Sequence, residues 1–531
     1  MDFLRIKKIS ISTLSPVHVG CDEEYEPSNY VIRNGLLYSL DMAAVADGID
    51  PAEKKTLGSL KTVGAIQQFF KSRREKFARF ASHVVEVVEE IASEYEEKAG
   101  KPVQQNHGGE PVYNLFPIMR TSHHPCDASP CLPGSSLKGS MRTAWLDAAN
   151  RKHPFRRGRD PKNAHRELQQ QLLGYEQGSF ENDPFRHLKV ADAHHPEDAD
   201  PAPCRVVYAV SKKKRPSERG SPELKVFVET IHGQIADAFS GELRFTGKID
   251  WSELCDACND FYVPQLQAEL NHPHLSALLD RDWKKVLQDI VSEEMSELRK
   301  NRQGFLLRVG RHSGAESVTL NGLRDIKILK KKGEPPDFRP ETTEKRFASR
   351  TRAADGGLLP FGWIWVESCE DAYQHVSASL KEKLQFWSRP ARETYRERMQ
   401  LVEDARIARE EEERQAVLLR LRQEADAREK AEAEAAKQAM LASMTPNLRE
   451  IEVLRCEIEK KLAGPKLKES DAFWGGRIKK FAMTAQQSPE WTLDEKIALA
   501  DMLEEWAGRL MLMDRKDLRK KLGLSALRGL A

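Results

Sequence analysis

The chain has 531 residues, with 84 Lys plus Arg against 82 Asp plus Glu and a formal charge of +2; this length suggests roughly three domains of about 150 residues, and the total charge does not announce an anionic partner. The mean hydropathy is −0.61, and no run reaches the about 18 consecutive apolar residues a spanning helix needs, so no membrane association is expected. Eight scattered cysteines in a chain this long exclude a disulfide-stapled scaffold and point to a reducing cytoplasm.

Charge is distributed unevenly. Basic runs lie at Arg151 to Arg166, Lys212 to Arg219 and Lys327 to Lys332, while acids gather at Glu86 to Glu97 and Glu410 to Glu413. Local positive surfaces can therefore coexist with a neutral whole.

The first residues alternate polar and apolar through Ile9 and Ile11 and reach Leu14-Ser15-Pro16, which reads as a strand running into a turn and not as a signal peptide. Tyr30 to Ile32 and Leu36 to Leu40 flank Asn34-Gly35, a hairpin signal. Phe77, Phe80, Val84, Val87, Val88 and Ile91 recur at three- and four-residue spacing and predict a long helix. Strand-like runs return at Cys204 to Val210, Lys225 to Thr230, Leu243 to Ile249, Phe305 to Val309 and Trp363 to Val366.

From Arg392 to Met444 the chain turns to Glu, Arg, Ala, Gln and Lys without Gly or Pro. Its apolar positions are too sparse for a heptad seam, so a solvated helix held by i,i+4 pairs is expected, ended by Thr445-Pro446. Ile451, Leu454, Ile458 and Leu462, then Leu499, Leu503, Trp506 and Leu510, predict a helical tail. The expected fold class is α+β, divided at 1–203, 204–390, 391–445 and 446–531.

The most informative stretch is Leu132-Pro133-Gly134-Ser135-Ser136-Leu137-Lys138-Gly139-Ser140-Met141-Arg142-Thr143-Ala144-Trp145, a Gly/Ser turn opening a helix. Ser135 or Ser136 can cap the first turn, and amides left free at the positive end of the dipole suit a phosphate. Lys138 and Arg142, four residues apart and off the apolar stripe, would project from one solvent face toward the same backbone. A second glycine-rich loop, Arg308-Val309-Gly310-Arg311-His312-Ser313-Gly314, follows a strand and offers amides and two arginines. It lacks the Lys-Ser/Thr pair of a nucleotide-binding loop.

Other candidates are weaker. His123-His124 and His194-His195 are adjacent pairs whose side chains diverge. Cys255 and Cys258 have the spacing of half a zinc site without its second half, and Cys126 and Cys131 are remote in sequence. Asp183 and Asp192 lack acidic partners for metal-assisted cleavage. No metal, cofactor or catalytic residue is assigned.

Leu14-Ser15-Pro16-Val17-His18-Val19-Gly20, with Glu23-Glu24-Tyr25-Glu26-Pro27 and Tyr30-Val31-Ile32, resembles the opening signature of the fifth Csm subunit of type III-A CRISPR effector complexes. The LPGSSLKGSMRTAW segment resembles that family's central motif. Asp183-Pro184-Phe185-Arg186-His187-Leu188-Lys189-Val190-Ala191-Asp192 and Phe361-Gly362-Trp363 resemble later segments of these RAMP proteins, in order over most of residues 1 to 367.

The resemblance implies two tandem ferredoxin-like (RAMP/RRM-like) domains, followed here by the charged helix and an all-α tail that lie outside it. It implies a non-catalytic subunit that binds single-stranded guide RNA (crRNA), caps its 3′ end and supports its maturation in antiviral defence. The implied partners are the other Csm subunits, the RAMP backbone subunit above all, with host nucleases recruited for trimming. The RNA-binding set expected on these grounds is His18, Gly134, Ser135, Ser136, Lys138, Arg142, Arg308, Arg311 and His312. Two rivals remain: a metal-independent RAMP endoribonuclease using His18 or His123 as acid and base, and a mainly structural scaffold.

Overall fold

The computed structural model describes residues 4–105, 111–156, 164–174, 181–197, 199–216, 226–247, 249–329, 333–369 and 374–530. The chain is mixed α+β and divides into two compact units, Met1–Arg409 and Glu410–Ala531.

The first unit is organised by the strand Arg5–Thr13, whose apolar Ile9 and Ile11 are fully buried. It pairs antiparallel with Ile235–Phe245 on one edge and with Trp363–Ser368 on the other. Gly304–Arg308 and Leu188–Val190 complete this five-stranded antiparallel sheet. A larger nine-stranded sheet runs through Gly20–Tyr25, Ile118–Thr121, Phe227–Ile231, Cys204–Lys213, Ala81–Val87, Leu36–Leu40 and Tyr30–Arg33.

Both sheets thus take strands from either side of residue 203, so the expected division at 203/204 is not a break between compact units. The first strand has both edges filled by chain that arrives more than 220 residues later, and no local pattern announces such pairing. The expected edge at 390/391 likewise falls inside one continuous helix, Gln374–Ser443.

The Asn34-Gly35 turn behaves as its residues require, with φ of 50° and 73°, the doubly left-handed geometry of a tight hairpin turn. The helix expected from Phe77 to Ile91 is instead two helical turns, Arg74–Phe77 and Ala78–Phe80, the strand Ala81–Val87 and the helix Glu89–Lys98. The β-branched Val84, Val85 and Val87 pack a central strand between Leu36–Leu40 and Cys204–Lys213, and burial on both faces erased the alternation that would have marked it. The expected strand Leu243 to Ile249 lies earlier, at Ile235–Phe245. Lys225 and the basic-run residues 157–163, 217–219 and 330–332 lie outside the described residues.

Leu380 and Leu384, early in the long helix, join the core of the first unit. The second unit has its own core, in which Ile451, Leu454, Ile458, Leu499, Leu503 and Leu510 are buried as their spacing predicts. Thr445 caps the helix Pro446–Leu462 by accepting from the Leu448 amide. Among the described residues, no helix is long and apolar enough to cross a membrane.

Candidate nucleic-acid interface

Motifs far apart in the sequence meet at one end of the five-stranded sheet. The Gly362 amide donates to the Pro16 carbonyl at 2.9 Å, the Val309 amide to Gly362 at 2.8 Å, and the Arg311 amide to His18 at 2.8 Å. The Ser15 hydroxyl accepts from the Trp363 amide at 2.9 Å. Gly310 (φ 81°) and Gly362 (φ 89°) are glycine for a reason: a Cβ would lie 2.3 Å from the His18 carbonyl oxygen or 2.2 Å from that of Val309. The motif helix Gly134–Lys152 docks on the same loop through Ser140, whose hydroxyl donates to the Arg308 carbonyl at 2.9 Å.

The helix start departs from expectation. Pro133 occupies the cap position and offers no capping side chain of its own. Ser135 and Ser136 lie within the helix, and the Gly134 amide donates to the Asp192 carboxylate at 2.7 Å. A carboxylate from the 183–192 segment therefore already sits at the positive end of the dipole, where the sequence suggested a phosphate. Gly134 is pressed onto that segment, since its Cβ would lie 2.2 Å from the Val190 carbonyl.

Arg142 is likewise engaged. It pairs with Asp183 at 2.8 Å, donates to Gln169 at 2.9 Å and lies over the Phe185 ring. Lys138 differs: none of the described residues forms a hydrogen bond or ion pair with its side chain. Burial lowers its pKa, repulsion from Lys189 and Arg142 adds to this, and Asp183 opposes it. An arriving anion would relieve that repulsion.

His18 is 0% exposed. Its Nδ1 lies 2.7 Å from the Glu229 carbonyl oxygen, which only accepts, so Nδ1 carries the proton and the lone pair is on the buried, unpartnered Nε2. Burial lowers its pKa to about 4. His312 stacks on it with ring centroids 6.0 Å apart, and burial lowers its pKa to about 3. These two expected RNA-contacting histidines instead pack on each other as an uncharged pair.

Arg308 is 3% exposed and belongs to the core. Glu269, 1% exposed, receives Arg308 at 3.1 Å, Lys345 at 3.2 Å and the Trp363 indole N–H at 2.9 Å. Arg311 is the solvent cation of the loop, 51% exposed and 3.9 Å from Asp22. Of the nine expected residues, Lys138 and Arg311 therefore present charge outward, while Lys189 of the 183–192 segment is an exposed neighbour that sequence reasoning passed over.

Sequence reasoning also missed a buried polar network. Glu229 accepts from the Thr121 amide at 3.0 Å and the Tyr25 hydroxyl at 3.2 Å, and Tyr25 lies 2.8 Å from His83 Nε2. These positions span some 200 residues and carry no local motif. Burial raises the Glu229 pKa to about 7. The folded chain therefore holds a proton there that the unfolded chain, with a pKa near 4.5, releases first, and stability declines as pH rises through this window. Glu229→Gln is expected to flatten that decline between about pH 4.5 and 7, as read from melting temperatures across a pH series.

Residues 10–254 match the family model of the RAMP superfamily. No curated protein matches the chain. Among solved structures, a chain of a Csm-crRNA-target RNA ternary complex of a type III-A CRISPR-Cas system is similar at 16% identity and TM-score 0.42, covering 68% of this chain and 100% of that one. Csm5 from T. onnurineus is similar at 17% identity and TM-score 0.40, covering 67% and 99%. Over residues 10–254, just under half of its length, this chain is therefore similar to the RAMP superfamily.

Proposed function

We propose that this chain is an RNA-binding subunit of a type III-A Csm effector complex, one that caps the 3′ end of the guide RNA by holding its backbone and does not cut it. The observation that carries the reading is the placement of Lys138 and Lys189, side by side without carboxylate partners of their own, on the helix and segment that pack against the glycine-rich loops of the RAMP-like region. Single-stranded RNA offers the closely spaced negative charges such a patch lacks. The same reading includes two tandem ferredoxin-like halves, docking on the RAMP backbone subunit, and trimming of the guide by host nucleases.

Enclosure of the His18 imidazole counts against it as the base of the nuclease alternative. An acid–base residue must reach the 2′-hydroxyl or the leaving oxygen.

The test is a salt series of single-stranded RNA binding to the full-length protein. Lys138→Ala with Lys189→Ala is expected to weaken binding and to reduce the slope of log K against log salt by about 0.7 per lost phosphate contact. An unchanged slope would remove this patch from the interface. Specific cleavage by wild-type protein would replace the cap with an enzyme.

A further inference from the structure

A different cluster lies on the nine-stranded sheet. Cys21 and Glu23 belong to the strand Gly20–Tyr25, and the residue between them, Asp22, is 98% exposed with a φ of 59°. Pairing with the neighbouring strand shifts there: Gly20 faces Thr121, yet Glu24 faces Met119. Extra residues on one strand with a left-handed turn make a bulge, a device that re-aims side chains. Here it sets Cys21 and Glu23 beside His123, which lies two residues beyond Thr121.

The three offer a thiol sulfur, a carboxylate oxygen and a ring nitrogen, all within 4.8 Å of one another. His123 is held as a ligand would be. Its Nδ1 lies 3.2 Å from the Thr121 carbonyl oxygen, so that nitrogen donates and Nε2 keeps its lone pair, 3.8 Å from a Glu23 oxygen. A backbone carbonyl fixing the far nitrogen is the usual support of a metal-bound imidazole. Burial also keeps the ring's pKa low, with Arg120 adding to the effect. Ligands about 2.0 to 2.3 Å from a tetrahedral ion are roughly 3.5 Å apart, so closure needs side-chain movements of about 1 Å.

Arg120 is the group that opposes an ion here, since it pairs with Glu23 at 3.1 Å. It has other partners: it lies over the Tyr25 ring at 5.1 Å, 3.3 Å from His83, and within the field of Glu229. Glu23 itself is more than half exposed, so its carboxylate can exchange one partner for another. Burial raises the Cys21 thiol, and Arg120 works against that rise.

We propose that Cys21, Glu23 and His123 bind one divalent ion of the zinc class, with solvent as the fourth ligand. Binding releases the Cys21 proton to solvent and exchanges the Glu23–Arg120 pair for a Glu23–metal bond. Sulfur with imidazole selects a borderline-soft ion over magnesium or calcium. This assignment replaces the expectation of no metal and is independent of the RNA reading.

The test loads full-length protein with zinc, removes excess by desalting and measures metal per chain; parallel loading with cobalt is read by absorbance. The expected result is one zinc per chain and a thiolate-to-cobalt charge-transfer band. Cys21→Ser and His123→Ala each lower retention by about tenfold or more, and Cys126→Ser leaves it unchanged. Arg120→Gln tightens binding by removing the competing cation. Circular dichroism checks that each variant is folded, and the cobalt band reports sulfur ligation in the wild type whatever the variants do. Zinc retained equally by the Cys21 and His123 variants, or a wild type that holds no stoichiometric metal, overturns the proposal.

Discussion

Glu269→Ala is expected to destabilise the first unit by about 3–5 kcal/mol, the cost of stranding a buried charge whose partner has been removed. Two cations depend on this carboxylate, Arg308 at 3.1 Å and Lys345 at 3.2 Å, and the Trp363 indole N–H donates to it as well. Alanine leaves both cations in the core without a counter-charge and leaves an indole donor unsatisfied. Burial alone would raise the Glu269 pKa, but Arg308, Lys345 and the indole hold it below the usual carboxylate range. A depressed carboxylate contributes stability that is present above its unfolded pKa, near 4.5, and is lost as pH falls through the folded value. Wild-type protein should therefore lose this contribution on acidification, and the variant should lack that part of the pH dependence. Thermal melting from pH 3 to 7 reads both effects, and equal stability of the two proteins at pH 7 would refute them.

Gly362→Ala should cost on the order of 3 kcal/mol or more, because two penalties act together. A left-handed backbone disfavours any side chain by roughly 1–3 kcal/mol, and here φ is 89°. The new Cβ would also lie 2.2 Å from the Val309 carbonyl oxygen, and that backbone is itself held by the hydrogen bond from the Val309 amide to Gly362. Relief requires parting the turn around Gly362 from the loop 308–314, so the melting temperature should fall, and on the proposed RNA-binding reading RNA affinity should fall with it. Gly139→Ala, on the motif helix with nothing within 4 Å of its Cβ, is the control and should leave melting unchanged or slightly raised, since alanine favours a helix over glycine.

Some of the protein was legible without coordinates because its signals are local. The Asn34-Gly35 hairpin, the strand through Ile9 and Ile11, the charged helix and the helical tail depend on turn chemistry and on hydrophobic periods within a dozen residues. The glycines at 310 and 362 were found as motif members, and the close approach of two loops gives them their reason.

Tertiary structure decided which cations face solvent. Arg142 and Lys138 share a helix face and look equivalent in sequence, yet Asp183, arriving from 41 residues later, takes one and leaves the other. Arg308 and Arg311 sit three residues apart, and Glu269 draws the first into the core while the second remains in water. The amides at the start of the motif helix looked free until Asp192 was placed against Gly134. A charge's role depends on its nearest opposite charge and on the solvent left around it, and both are set by chain brought in from far along the sequence. The types of side chain and the local elements were the sequence's to determine; the pairing of those charges, and so which cations are left facing solvent, belonged to the fold.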